Sequence, residues 1–226
     1  MSTLKALAVG AGGGYGGGTS ENFFSAGGGG GEVVSNDTFA VTNGEYIVTI
    51  GAGGANGASG SAGITGGTSS FDSIDALGGE GGQLNATGGD SGDGHTGGTY
   101  DIASGASGGG GGDSANGTAG TSNQGGDGGD GTASSITGSS VDYAGGGAGR
   151  YPGADGTSGS GLIGGGGSPT RSSQNGIVII SYKTSEFTHT YSGTSTTDIN
   201  GTETVVSMTT SGTLNLNSKG NFLMFM

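Results

Sequence analysis

The sequence predicts an all-β, partly irregular protein in which a frame of strands surrounds a bundle of glycine-rich segments. Three observations lead to this fold class. Glycine supplies 62 of the 226 residues, it is concentrated between residues 51 and 167, and apolar runs with strand character flank that range. The sparse hydrophobic residues within the range follow neither a helical nor a strand period, which favours short extended rods joined by turns.

Two apolar runs predict the central strands of the frame. Residues 4–9 and 177–182 are apolar at successive positions, which is typical of strands covered on both faces. We expect these two strands to be neighbours. Residues 68–79 predict a further strand, with Phe71 and Ile74 as its anchors in the core.

The strongest local signal is a hairpin over residues 38–50. Asn43-Gly44 can adopt the two positive φ angles of a type I′ turn. In that register Phe39 pairs with Val48 and Val41 pairs with Tyr46. One face of the hairpin would then carry the apolar side chains of Phe39, Val41, Tyr46, Val48 and Ile50.

The glycine-rich segments are predicted to form polyglycine-II rods, which have three residues per turn and no internal hydrogen bonds. Fixing each glycine costs roughly 0.5–1 kcal/mol more than fixing alanine. Packed side by side, such rods can exchange N–H···O=C bonds in several directions, each contributing about 0.5–1.5 kcal/mol. The irregular glycine runs and only two prolines favour a folded-back bundle over a collagen-like triple helix.

Composition divides the chain into two predicted domains. Of the 62 glycines, 58 precede residue 183, so we predict a glycine-rich β/polyglycine-II domain over 1–182 and a Thr/Ser-rich β appendage over 183–226. Asn200-Gly201 predicts a hairpin in this appendage, and residues 218–221 a further turn. About 40 polar residues cannot bury enough surface to fold alone, so the appendage must dock, for attachment or oligomerisation.

Charge, the length of the apolar runs and the N-terminal sequence argue against several function classes. The formal net charge is −13 with only five Lys and Arg residues, whereas nucleic-acid binding needs a basic surface. No run approaches the ~20 apolar residues of a membrane span, and the N-terminus lacks the pattern of a signal peptide. We therefore expect no nucleic-acid partner and no membrane insertion.

Catalytic, metal and cofactor sites are not predicted. The chain has no cysteine, and its glycine motifs lack the strand and helix context of nucleotide-binding loops. Asp127 and Asp130 in GGDGGDG match a calcium-binding repeat only in part and in a single copy. His95 and His189 are expected to be solvated histidines. We predict no enzyme activity, no metal and no cofactor.

Several segments together resemble a known family. They are LKALAVGAGGGYGGG (4–18), EYIVTIGAGG (45–54), SSFDSIDALGGEGG (69–82), AGGGAG (144–149) and GIVIISY (176–182). Their ordered combination resembles the glycine-rich domain of phage tail-fibre and related virion proteins. It is also similar to the polyglycine-II tip adhesins of T-even-type phages, in which loops at the distal edge of the polyglycine sandwich bind receptors.

The resemblance implies a virion component, with host attachment as the leading role. It would be made in the host cytoplasm, and its partners would be other virion proteins and a host glycan or outer-membrane protein. We expect a homo-oligomer, with a trimer as one option. The apolar end, Phe222, Leu223, Met224, Phe225 and Met226, is a predicted assembly interface.

Large side chains that interrupt the glycine runs are the candidate receptor contacts, because aromatic residues offer rigid, amphipathic contact area. They are Tyr15, Phe23, Phe24, Tyr100, Tyr143, Arg150 and Tyr151. A role in capping or flanking the bundle is the alternative for each. For the whole protein, the alternatives are a capsid decoration, head-fibre or other purely structural virion subunit, and an ice-binding polyglycine-II protein.

Overall fold

The computed structural model describes residues 2–18, 25–84 and 86–219, and this part of the chain is all-β. It contains no helix long and apolar enough to cross a membrane. The strands of the described residues are β1 (Ser2–Val9), β2 (Val33–Val41), β3 (Gly44–Thr49), β4 (Ser69–Phe71), β5 (Ile74–Ala76), β6 (Thr132–Ser134), β7 (Val141–Tyr143), β8 (Ile177–Lys183), β9 (Phe187–Tyr191), β10 (Ser195–Asn200), β11 (Glu203–Met208) and β12 (Gly212–Ser218).

Ten of these strands form two antiparallel sheets. Sheet A has the order β10-β11-β8-β1-β2, and sheet B has the order β5-β4-β3-β12-β9. The strands β6 and β7 form a separate antiparallel hairpin. Both sheets contribute to one apolar core, so the two sheets form a sandwich.

The prediction for the two central strands is confirmed. β1 and β8 pair in antiparallel register, with Leu7 opposite Ile179. All residues of β8 from Ile177 to Tyr182 are buried. A strand needs apolar residues at successive positions only when both of its faces are covered, and here sheet B covers one face of sheet A while Tyr143 and its neighbours cover the other.

The larger core lies between the sheets. Aromatic side chains fill its centre: the ring of Phe71 lies 5.1 Å from that of Phe39 and 5.6 Å from that of Tyr46. The smaller core lies on the opposite face of sheet A. There Leu7 and Ile179 pack with Tyr143 of β7, so the β6–β7 hairpin covers apolar surface that would otherwise face solvent.

The predicted hairpin over residues 38–50 is wrong. β2 pairs with β1 in sheet A, whereas β3 pairs with β12 and β4 in sheet B. The chain therefore crosses from one sheet to the other at Asn43. The Tyr46 hydroxyl holds this crossing, because it accepts from the Thr42 N–H at 2.9 Å and donates to the Thr42 carbonyl at 3.0 Å. The predicted apolar face does line one core, but from opposite sheets.

The predicted strand over 68–79 is two short strands, β4 and β5, which form a hairpin. Its anchors are confirmed, since Phe71 and Ile74 are both buried. Asp72 adopts a φ of 51° at the turn, a left-handed conformation that Asp and Asn tolerate better than other non-glycine residues.

The described residues after 183 share both sheets with the glycine-rich part of the chain. β11 pairs with β8, and β12 lies between β3 and β9. The predicted Asn200-Gly201 hairpin is confirmed: Asn200 pairs with Glu203, and Gly201 has a φ of 62°. The composition boundary at residue 183 is therefore crossed by continuous sheets. The apolar end, 222–226, lies outside the described residues, as do residues 220 and 221 of the predicted turn.

His189 links the two sheets, in contrast to the solvated position expected from the sequence. Its Nδ1 lies 2.6 Å from the hydroxyl of Tyr182 in sheet A, and its Nε2 lies 3.2 Å from the hydroxyl of Thr197 in β10. Burial lowers the pKa of His189 below its ordinary value. The neutral ring, which accepts a hydrogen bond at one nitrogen and donates at the other, suits both contacts.

We expect the stability of the protein to fall as the pH drops through about 6.5, the ordinary histidine pKa. The unfolded chain binds a proton at His189 there while the folded chain does not, so protonation favours unfolding until the lower folded pKa is passed. Urea midpoints measured between pH 8 and 5 would test this. A His189→Gln variant should show a flatter profile than the wild type, and identical slopes would contradict the prediction.

Backbone hydrogen bonds join the extended glycine-rich segments, which we call rods, into one unit. We call this unit the glycine array, residues 10–18, 25–32, 51–67, 77–84, 86–131 and 144–176. Several rods of the array continue directly from strands, among them those that join β1, β2 and β8. Gly10 follows β1, Glu32 precedes β2 and Gly176 precedes β8. The array and the sandwich are thus joined at one end through shared chain segments.

Hydrogen bonding in the array repeats every three residues. In the rod 27–32 the N–H groups of Gly27, Gly28 and Gly29 donate to Gly108, Gly167 and Glu80. Those of Gly30, Gly31 and Glu32 donate to Gly111, Gly164 and Leu77, which lie on the same three neighbouring segments. One rod is therefore held from three sides, whereas a strand in a sheet is bonded from only two.

At many glycine positions the rods pack too closely for a side chain. A Cβ built at Gly28 would lie 2.1 Å from the carbonyl oxygen of Gly13, and one at Gly110 would lie 2.0 Å from that of Gly28. Side chains at such positions would separate the rods and break the bonds between them. Glycine is therefore the residue on which the packing of the array depends, which confirms that these segments are structured.

Candidate functional site

The connections between rods cluster at the end of the array that lies away from the strands. Gly10 donates to Glu32 beside the sandwich, whereas further along the same rod Gly16 donates to Ala26 and Gly60 donates to Gly17. We call this end the loop end. Following the hydrogen-bond register of each rod, the described connections at the loop end are 58–60, 83–84, 86–87, 99–106, 121–124, 150–155 and 168–171.

Two of the predicted receptor contacts are interior residues. Tyr143 is 1% exposed and packs in the smaller core, and Tyr15 is 8% exposed. Burial raises the pKa of Tyr15, an effect that the nearby Ser25 hydroxyl and Arg150 guanidinium only partly oppose. Both tyrosines support the interior and have no surface for a receptor. Phe23 and Phe24 lie outside the described residues.

Arg150 and Tyr151 do lie at the loop end, and both are half-buried. The backbone of Arg150 joins two rods, because its N–H donates to Ser25 at 3.2 Å and its carbonyl accepts from Ser107 at 2.9 Å. The N–H of Tyr151 donates to the carboxylate of Asp155 at 3.3 Å. The loop that presents these two side chains is thus fixed at its base.

Tyr100 begins a second loop that is also held rigidly. The carboxylate of Asp101 accepts from the Ala103 N–H at 3.1 Å and from the Ser104 hydroxyl at 2.6 Å. The Ser104 hydroxyl also approaches the Thr121 carbonyl of the adjacent loop at 3.1 Å. Ile102 lies at the tip, 86% exposed. This loop therefore displays an aliphatic side chain on a preorganised turn.

Leu84 is displayed in the same way at the loop end. It is 57% exposed, and the loop is closed by a hydrogen bond from the Gln83 N–H to the Thr87 carbonyl at 2.9 Å. The Gln83 side chain donates to the Gly81 carbonyl at 2.8 Å. Sequence reasoning, which sought aromatic and cationic residues, missed Leu84 and Ile102. The sequence feature that could have identified both is a single aliphatic residue within a polar turn.

Arg171 shows that a cation at the loop end can be structural. Its guanidinium donates to the carbonyl of Gly166 at 3.1 Å, and the loop is closed by a bond from the Ser168 N–H to the Arg171 carbonyl. Burial lowers the pKa of Arg171. The side chain thus supplies a donor to a rod carbonyl.

The side chains of Asp127 and Asp130 also take the place of backbone carbonyls as hydrogen-bond acceptors. Their carboxylates accept from the N–H groups of Thr157 at 2.6 Å and Ser160 at 2.9 Å on the adjacent outer rod. The spacing of three residues on both rods matches the repeat of the array. The GGDGGDG motif is therefore explained by rod packing, and no group of three metal-binding side chains occurs among the described residues.

We expect Asp127→Ala/Asp130→Ala to loosen the outer rod 154–160 and lower stability by about 1 kcal/mol for each lost hydrogen bond. Hydrogen exchange at the N–H groups of Thr157 and Ser160 should accelerate. The amide variant Asp127→Asn/Asp130→Asn keeps an acceptor and should largely restore protection. Asp142→Ala, on the exposed side of β7, is the matched control. Unchanged exchange in the alanine variant would contradict the prediction.

One turn brings together Ser91, Asp93 and His95, but not in the geometry of a catalytic triad. His95 Nδ1 lies 2.8 Å from the Asp93 carboxylate, and the Ser91 hydroxyl also donates to Asp93. A nucleophilic serine would instead need to contact the other ring nitrogen of the histidine. Burial acts to raise the pKa of Asp93, but the hydrogen bonds from Ser91 and His95, together with the charge of His95, lower it overall. The cluster closes a turn.

A family model described as a glycine-rich domain matches residues 1–183. The match ends where the composition of the sequence changes. No curated protein and no solved structure matches the chain.

Proposed function

This chain belongs to the glycine-rich domain family, and we propose that it serves as a phage virion protein that attaches the particle to its host. The observation that carries the proposal is the clustering of rigid loops at one end of the glycine array, opposite the sandwich. A scaffold of this kind can vary its loops without changing the backbone bonds that hold it together. Binding residues commonly lie on loops that a rigid scaffold positions.

We also propose that the array is a bundle of polyglycine-II rods. The three-residue repeat of its hydrogen bonds supports this assignment, because a polyproline-II-type helix has three residues per turn and directs successive N–H groups to three sides. The close approach of backbones at Gly28 and Gly110 also supports it. Collagen uses a related backbone with a strict glycine period, whereas here the rods belong to one chain.

The loop-end side chains suit a protein or glycan surface. Ile102 and Leu84 offer exposed aliphatic contacts, and Tyr151 and Tyr100 offer aromatic ones. Preorganised contacts lose little conformational entropy on binding. Arg150 adds positive charge beside Tyr151 in a chain whose formal net charge is −13. These residues form the receptor-contact surface of the proposal.

Competition for adsorption tests the host-attachment proposal. The purified chain at saturating concentration should reduce adsorption of the phage to its host. Ile102→Asp and Tyr151→Ala should each lose this competition, while Ile47→Asp, at a residue 72% exposed on the sandwich, should retain it. No competition by the wild-type chain, with density for the chain distributed over the capsid, would overturn host attachment and favour a capsid decoration.

A further inference from the structure

We propose that β10 is a self-pairing edge through which two copies of the chain form a dimer with one continuous sheet. β10 is the terminal strand of sheet A. Five of its six residues are exposed, and among the described residues no strand pairs with its outer side. An open strand edge presents unpaired N–H and C=O groups that another strand can bond.

The strand is held in place for such pairing. All six of its residues keep an unbroken register with β11. On one face the Thr197 hydroxyl contacts His189 at 3.2 Å, and before the strand the Thr194 N–H donates to the Thr210 hydroxyl at 2.7 Å. A partner would therefore add to a preformed strand instead of ordering a loop.

The other edge strand of sheet A, β2, is protected in ways that β10 is not. The pairing of β2 with β1 is interrupted by a bulge between Leu4 and Ala6. Two N–H groups of β2 are bonded to side chains, that of Val33 to Asp113 at 2.8 Å and that of Thr38 to Asn36 at 3.0 Å. Bulges and charges are the usual protection against edge pairing. β10 has no bulge, lysine or proline, and its one charged residue is Asp198.

A second copy of the chain fits this edge in both register and charge. Because a two-residue turn follows Asn200, residues 196, 198 and 200 bond to β11, while residues 195, 197 and 199 direct their backbone groups outward. Two copies related by a two-fold axis at Thr197 would pair 197 with 197 and 195 with 199. This register places Asp198 opposite Thr196 and not opposite the partner's Asp198. The outward backbone groups of both copies are then satisfied without apposed charges.

Cysteine cross-linking tests this register in the full chain. In Thr196→Cys/Asp198→Cys each new thiol lies opposite one of the partner copy, at a Cα separation within disulfide range. We expect oxidation to give a covalent dimer. The matched variant Thr196→Cys/Asn200→Cys places no two thiols opposite each other and should remain uncross-linked. Equal cross-linking of both variants would overturn the register.

Sedimentation equilibrium tests the dimer itself without cysteine. The wild-type chain should show a concentration-dependent monomer–dimer equilibrium. Thr197→Lys places two positive charges opposite each other and should weaken the dimer several-fold, whereas Thr196→Lys places lysine opposite Asp198 and should preserve or strengthen it. A wild-type chain that stays monomeric, or that forms a trimer, would overturn the proposal. Neither result bears on the adsorption test.

Discussion

Gly28→Ala is expected to abolish the native fold or to lower its stability by at least about 4 kcal/mol, the range of severe core disruptions. Its new methyl group would lie 2.1 Å from the Gly13 carbonyl oxygen and 2.7 Å from that of Gly14. Both obstacles are backbone atoms, so neither can rotate away. Gly28 also donates to Gly167 at 2.9 Å and accepts from Gly147 at 2.8 Å, and separation of the rods would lengthen both bonds.

Gly153→Ala is the matched control for this substitution. Gly153 lies in a loop of the same array, and a Cβ there meets only the ring of Tyr151, at 3.3 Å and 3.6 Å. That side chain can move, so the stability should change by about 0.5 kcal/mol or less. Thermal and urea unfolding of both variants measure the difference. Equal midpoints would show that the array tolerates a side chain at its centre, contrary to the packing described above.

These two glycines show why composition alone could not locate the essential positions. The sequence predicted a bundle of glycine rods because apolar strands bracket the glycine-rich range. It could not predict which rods touch, because glycine carries no side-chain pattern that would identify a neighbour. The sequence does not distinguish Gly28 from Gly153. Only the close contact with the Gly13 backbone makes Gly28 essential, while Gly153 is replaceable.

The strands show a different limit. β1 and β8 were predictable because unbroken apolar runs imply cover on both faces. The 38–50 segment was mispredicted because alternation of apolar residues specifies which face is buried but not which strand is the partner. Phe39 and Val48 point into the same core whether their strands pair in one sheet or oppose each other across two. Asn43-Gly44 permits a tight turn, but the pairing of β3 with β12 decides the outcome.

The candidate site was predictable in chemical type only in part. Tyr143 and Tyr151 both lie beside glycine runs in the sequence, yet one is buried against sheet A and the other is at the loop end. The two tyrosines flank opposite ends of the same rod. Which end of that rod meets the sandwich depends on contacts between distant segments. Ile102 was missed because a lone aliphatic residue in a polar loop resembles an isolated core residue until its exposure is known.

Phe71→Ala is expected to destabilise the protein by about 3–5 kcal/mol, the cost of removing a buried aromatic ring. Phe71 is completely buried, and its ring packs against those of Phe39 from sheet A and Tyr46 from sheet B. The cavity would therefore open at the contact between the two sheets. Ile47→Ala, on the exposed face of β3, should change stability by about 0.5 kcal/mol or less.

The same variant tests whether the sandwich and the glycine array unfold together. β1, β2 and β8 continue without interruption into rods at Gly10, Glu32 and Gly176, so loss of the sheets should release the rods. We therefore expect Phe71→Ala to accelerate hydrogen exchange at the N–H groups of Gly28 and Gly147 as much as within β8. Protection that persists in the array after the sandwich has lost it would show two independent folding units. A single cooperative loss would mean that the sandwich core stabilises an array that has few apolar side chains of its own.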